Sequence, residues 1–109
     1  MVKFLGANMN TSVYKSAYDS WVAETNIDIG NGQVINVFTM RRYTGNVTTT
    51  AKLCTQKDQC LEYDMLSYNT VLISQRYPRA TKNIIKSQHE TGLKLLPDVL
   101  KPLNITVTI

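Results

Sequence analysis

Few side chains in this sequence could carry out acid–base or nucleophilic chemistry. His89 is the only histidine, and so the only side chain whose ordinary pKa lies near neutrality. Cys54 and Cys60 are the only cysteines, and no local pattern marks either as a thiol activated by His89. Glu62 and Asp64 would share one face of an extended segment, but two carboxylates are weak evidence for a metal-dependent nuclease. We therefore expect no catalytic residue and interpret the chain as a binding protein rather than an enzyme.

The two cysteines also bear on metal and redox chemistry. A structural zinc site takes four Cys or His ligands, and Cys54, Cys60 and His89 cannot fill it within one chain. No metal and no other cofactor is therefore expected. The polar residues between the cysteines suit a turn, so a disulfide across a hairpin is geometrically possible. Because the cytosol is reducing, we expect two free thiols.

Nothing in the sequence predicts export or a membrane span. The first residues lack the apolar run of a secretory signal. The longest apolar runs, such as Val71-Leu72-Ile73, fall far short of the roughly 18 residues that a span needs. The sequence therefore predicts a soluble cytoplasmic protein.

The positive charge of the chain is concentrated in one segment. Lys and Arg total 12 against 8 Asp and Glu, a net charge of +4, and residues 76–101 account for all of this excess. A helical projection of that segment predicts a basic ridge within an arc of about 80°; its members are Arg79, Lys82, Lys86 and His89. Cations at one-turn spacing can neutralise successive phosphates. We therefore predict a nucleic-acid-binding site formed by Arg76, Arg79, Lys82, Lys86 and His89, which Arg41 and Arg42 could extend.

Two other interpretations stay open. The ridge could simply be a solvated helix face that keeps the protein in solution. Alternatively, the protein could be an inhibitor or adaptor that docks on a host protein through a sheet face or edge; the candidate contacts are Tyr63, Tyr68, Thr70 and Tyr77. A free strand edge, for example at residues 104–109, could also support a homodimer.

The pattern of apolar residues predicts the elements that position these side chains. Apolar residues from Val13 onward recur with helical spacing, which predicts a first helix ending near Thr25 with Tyr14, Tyr18 and Trp21 in the core. β-branched and alternating segments predict strands at 33–43, 47–55, 60–65, 67–75 and 104–109. A second helix should begin near Arg79 or Ala80 and end at Pro97.

These elements together predict a single α+β domain over residues 1–109. Its antiparallel sheet of four to six strands is packed by two helices, and the second helix covers one face of the sheet. The other face is expected to be available for binding.

Two blocks of the sequence, Leu66–Ile73 and Tyr77–Thr81, resemble a pattern in short uncharacterised proteins of bacteriophages and related mobile elements. The resemblance covers about a quarter of the chain. It implies a sheet-plus-helix fold and a small basic accessory protein that acts by binding in the cytoplasm of an infected bacterium. The positions it would single out are Tyr68, Thr70, Tyr77, Arg79 and Thr81.

Overall fold

Five antiparallel strands and one α-helix form most of the fold. The computed structural model describes residues 3–5, 9–30, 32–54 and 68–107. In chain order, the five strands of the main sheet and the two of a smaller pair are β1 Lys3–Leu5, β2 Met9–Lys15, β3 Trp21–Gly30, β4 Gln33–Arg41, β5 Asn46–Cys54, β6 Tyr68–Arg76 and β7 Ile105–Val107; β1 and β7 form the smaller pair. The helix α1 spans Lys82–Leu100 and runs into a 3₁₀ turn at Lys101–Leu103.

The main sheet is a meander in which each strand pairs with its neighbour along the chain. Its order is β2-β3-β4-β5-β6, and every pairing is antiparallel. β1 and β7 form a separate parallel pair. The prediction of a single α+β domain with an antiparallel sheet is confirmed, but the described residues contain one α-helix and not two.

The segment predicted as a first helix is a β-hairpin, so that prediction is wrong. β2 and β3 are joined by a turn in which Asp19 adopts the left-handed conformation, with φ 58°. Tyr18, which was expected in the core, is 91% exposed on this turn. The buried side chains along β3 recur at every second residue, which is the period of a strand; they are Ala23, Thr25, Ile27 and Ile29.

The other described elements follow the sequence pattern closely. The predicted strands near residues 33–43, 47–55, 67–75 and 104–109 correspond to β4, β5, β6 and β7. The strand predicted at residues 60–65 lies outside the described residues. The helix begins later than expected, at Lys82, where the hydroxyl of Thr81 accepts from the Ile84 amide and caps it. It also continues through Pro97, because Leu96 and Leu100 are both fully buried on either side of the proline.

The core lies between α1 and one face of the sheet. Its larger cluster packs three helix leucines, Leu93, Leu96 and Leu100, against β3, β4 and β5. A smaller cluster near the start of the helix joins Ile85 to Ala23 and Val47, with Trp21 and Tyr77 packed beside it. Burial of these apolar groups is what holds the helix across the sheet.

The opposite face of the sheet is less open than predicted. Val22, Val34 and Asn36 are buried there, at 3%, 4% and 3% exposure. The Asn36 amide donates to the carboxylate of Glu24 at 2.8 Å, and the Tyr14 hydroxyl donates to the same group at 3.3 Å. Partial burial and the negative charge of Glu24 raise the pKa of Tyr14. Cross-strand polar contacts therefore occupy part of this face.

Two further observations bear on the setting of the protein. Cys54, at the end of β5, is disulfide-bonded, so the expectation of two free thiols is wrong. The other cysteine of the sequence, Cys60, lies outside the described residues. No helix in the described part of the chain has the length and apolar character that a membrane span requires.

Candidate nucleic-acid interface

Four of the five cations predicted to bind nucleic acid have exposed side chains. Arg76 ends β6, Arg79 lies in the extended segment before the helix, and Lys82 and Lys86 lie one turn apart on α1. Arg79 is therefore not part of a helical ridge, because the helix starts three residues after it. Lys82 and Lys86 keep the predicted spacing on an exposed helix face.

His89, the fifth predicted residue, is buried under the helix at 1% exposure and cannot contact a phosphate. Its Nε2 lies 2.7 Å from the Thr25 hydroxyl, and its Nδ1 lies 2.8 Å from the Thr39 hydroxyl. Burial lowers the pKa of His89 to about 4, although the charges of Glu90 and Glu24 partly oppose this shift. The ring is therefore neutral at pH 7, and its assignment to the basic ridge is wrong.

The hydrogen bonds around His89 form a chain with a definite direction. The side-chain amide of Gln88 donates to the Thr49 hydroxyl at 3.2 Å, and the Thr49 and Thr39 hydroxyls lie 2.7 Å apart. Since Thr49 accepts from Gln88, we assign Thr49 as the donor to Thr39, and Thr39 as the donor to Nδ1 of His89. Within this chain of bonds, Oε1 of Gln88 has no partner among the described residues. The remaining proton of the ring is then on Nε2 and is donated to Thr25. This buried chain holds the helix against three strands and leaves the imidazole no free nitrogen for catalysis.

Trp21, at the start of β3, contacts two lysines from different elements. The Nζ of Lys15 lies 5.4 Å from the centroid of the indole ring, and the Nζ of Lys82 lies 5.0 Å from it. Both distances are typical of cation–π contacts. Since Trp21 packs against the smaller core cluster, it fixes these two ammonium groups at one end of the sheet.

A cavity of about 260 Å³ opens beside Trp21. Two arginines from distant parts of the chain share it: Arg41 at the end of β4 and Arg79 before the helix. The remaining lining residues are Asp19, Ser20, Trp21, Pro78 and Ala80. The carboxylate of Asp19 pairs with Lys15 at 3.2 Å, and its side chain is 85% exposed. The cavity lining therefore combines two arginines with one aspartate whose carboxylate already has a cationic partner.

Arg41 and Arg76 also meet at the turn between β4 and β5. Both guanidinium groups lie within 4 Å of the position that a β-carbon would take at Gly45, which has φ +97°. Arg76 donates to the carbonyl oxygen of Thr44 at 3.1 Å. This turn therefore brings together cations that are 35 residues apart in the sequence.

We call the resulting cluster the cationic end of the molecule; it comprises Lys15, Arg41, Arg76, Arg79 and Lys82. The sequence pattern predicts Arg76, Arg79 and Lys82 and suggests Arg41 and Arg42 as an extension. Arg42 instead donates to the Thr48 hydroxyl at 3.3 Å, on the face of the sheet opposite the helix. The sequence pattern misses Lys15 and the role of Trp21, because it assigns both to a helix. The turn-forming residues Asp19 and Ser20 between them were the available signal for a hairpin.

Three of the four residues predicted to dock on a protein lie in described elements or connections of the fold. Tyr63 lies outside the described residues. Tyr77 is half-buried against the smaller core cluster, and its hydroxyl donates to Gln75 at 3.1 Å. Tyr68 and Thr70 lie on β6, opposite Leu53 and Ala51 of β5. Tyr77 therefore has a packing role in the fold.

No protein-family model, curated protein or solved structure matches this chain. The resemblance to bacteriophage and mobile-element proteins stays a prediction. Function must therefore be inferred from the geometry of the cationic end.

Proposed function

We propose that the protein binds nucleic acid through its cationic end, by contacts to the phosphate backbone. The observation that carries this proposal is the convergence of five cations from three separate parts of the chain. Lysine and arginine contacts to phosphates release condensed counterions, which supplies affinity without base recognition. The binding is therefore expected to be salt-dependent and tolerant of sequence.

The test measures fluorescence anisotropy of labelled single-stranded DNA and RNA over a range of salt concentrations. The Arg79→Glu and Lys82→Glu double variant, which changes two members of the cationic end, should bind more weakly. It should also flatten the plot of log affinity against log salt by about 0.7 for each phosphate that the variant no longer neutralises.

Lys94→Glu is the matched control, because Lys94 is exposed on the same helix but lies more than three turns from Lys82. It changes the net charge of the protein without touching the cationic end and should retain most of the affinity. The proposal is rejected if the protein binds neither DNA nor RNA at low salt, or if Lys94→Glu weakens binding as much as a single Lys82→Glu change.

A second candidate, docking on another protein through a sheet edge, is favoured by one observation. β2 is an edge strand of the main sheet, and its residues 9–12, 14 and 15 are exposed. Residues 9–14 carry no charged side chain. Edge strands without charge, proline or a bulge readily pair with another strand.

The disulfide at Cys54 bears on where either function would operate. Disulfides persist in oxidising compartments and are rare in the cytosol. The bond therefore weighs against the predicted cytoplasmic setting, and with it against the host cytoplasm that a phage-encoded accessory protein would occupy.

A further inference from the structure

The cavity beside Trp21 has features that the exposed cations do not share. Its two arginines approach from β4 and from the segment before the helix, so a ligand in the cavity would lie against both side chains. Guanidinium groups present planar pairs of donors that match the oxygens of a phosphate. Among the described residues that line the cavity, Asp19 is the only carboxylate, and it is directed to Lys15.

Arg41 has a donor that no described residue satisfies. Its Nε is inaccessible to solvent and has no hydrogen-bond partner within the described structure. A buried N–H group without an acceptor is costly. Because Nε is closed to solvent, a ligand in the cavity would have to contact the terminal nitrogens of Arg41 instead.

The start of α1 adds to the positive potential of the cavity. Ala80 lines the cavity and directly precedes the capping residue Thr81, and the first turn of the helix contains no acidic residue. The amino-terminal end of a helix carries a partial positive charge, which here no side chain of that turn offsets. This charge adds to that of the two arginines.

We propose, building on the proposed function, that this cavity receives the terminal phosphate of a nucleic-acid strand. A terminal phosphomonoester carries a charge of about −1.5 to −2 at neutral pH, more than a backbone phosphodiester, and leaves three oxygens free. Two guanidinium groups complement that charge. A volume of about 260 Å³ accommodates a phosphate with its sugar but is far too small for a duplex.

The experiment compares oligonucleotides of one sequence that differ only at their ends: 5′-phosphate, 3′-phosphate or hydroxyl at both ends. We expect one phosphorylated form to bind about tenfold more tightly than the hydroxyl form, since it gains charge-assisted hydrogen bonds. Inorganic phosphate, added at constant ionic strength, should remove this advantage and leave the binding of the hydroxyl form unchanged.

Two variants test whether the tighter binding of a phosphorylated end depends on the cavity. Arg79→Gln changes an exposed residue outside the helix and should abolish the preference for a phosphorylated end without unfolding the protein. Arg41→Lys keeps the charge but removes the planar donor pair, and should also reduce the preference. Lys94→Gln is the control and should preserve it.

The outcomes separate this inference from the proposed function. Equal affinity for phosphorylated and hydroxyl ends, with salt-dependent binding intact, would overturn the inference alone. A preference that survives in both Arg79→Gln and Arg41→Lys would place the terminal phosphate elsewhere and also overturn it. Loss of binding to every oligonucleotide at low salt would reject both.

Discussion

At the scale of single residues, the most informative side chain is His89. It is held neutral between two threonine hydroxyls in the core, and its pKa is lowered to about 4 from an ordinary 6.5. Its position on the helix, next to Lys86 in the projection, predicts an exposed cation. Its hydrogen-bond partners come from strands 50 and 64 residues away, so no local pattern could reveal them.

The lowered pKa of His89 predicts how stability depends on pH. The unfolded chain takes up the proton near pH 6.5 and the folded chain only near pH 4, so acidification through this window favours unfolding. The contribution of the neutral His89 ring to the free energy of unfolding is fully present above pH 6.5 and is lost as the pH falls to 4. Its size should be on the order of 3 kcal/mol.

Urea unfolding between pH 4 and pH 7 checks this prediction, with His89→Gln as the comparison. Glutamine can still donate and accept hydrogen bonds but does not titrate. The difference in unfolding free energy between the two proteins should narrow or reverse in sign as the pH falls. If the unfolding free energies of the two proteins change in parallel with pH, the pH dependence does not come from His89.

At the scale of elements, the contact between α1 and β5 depends on a glycine. A β-carbon added at Gly92 would lie 2.6 Å from the Cγ2 methyl of Thr49. The helix therefore approaches the strand so closely that only glycine fits, and this contact brings Gln88 within reach of the Val47 carbonyl oxygen, at 2.8 Å.

Gly92→Ala should destabilise the protein by about 1–3 kcal/mol through overpacking, although alanine is the better helix former. Thr49→Ser removes the clashing methyl and keeps the hydroxyl that bonds Thr39. The double variant should therefore lose less stability than the sum of the two single variants. Thermal or chemical unfolding of all four proteins measures this coupling, and strictly additive losses would contradict the close contact.

The elements also show why sequence reasoning succeeds for some segments and fails for others. β4, β5, β6 and α1 each have one dominant period, which identifies them. In residues 13–25 the helical spacing of Val13, Tyr14 and Tyr18 competes with the alternation that continues through Ile27 and Ile29. Only pairing with β4 on one side and β2 on the other resolves the competition in favour of a strand.

At the scale of the whole molecule, charge is unevenly distributed. The sequence locates the positive excess in residues 76–101 and suggests Arg41 as an extension, but it misses Lys15, which lies in a part of the chain that is neutral overall. Most members of the candidate site were thus predictable, but their convergence was not, because it exists only once the β2–β3 and β4–β5 turns meet the start of the helix.

The exposed edge of β2 predicts self-association at high concentration. Antiparallel pairing of two copies about Ser12 would extend the sheet, and Ser12→Lys should suppress it by placing charge on the edge. The new lysine would lie opposite Glu24 within the same sheet, so the monomer should keep its fold. Ser74→Lys on the other edge strand, β6, is the matched control.

Light scattering over a range of protein concentrations measures this association. The wild-type mass should rise above 12.3 kDa toward twice that value, and only Ser12→Lys should hold it at the lower value. A wild-type mass that stays at the lower value throughout would contradict pairing through β2, as would equal effects of the two lysines.

The small parallel pair of β1 and β7 has a mechanical consequence. Lys3 lies opposite Ile105 and Leu5 lies opposite Val107, so the two strands point the same way. Tension applied between residues 3 and 107 would load the hydrogen bonds of this pair together, in shear, instead of peeling them apart one at a time. Ile105 packs in the main core. The hydrogen bonds between β1 and β7 would therefore have to break before tension could extend the five-stranded sheet.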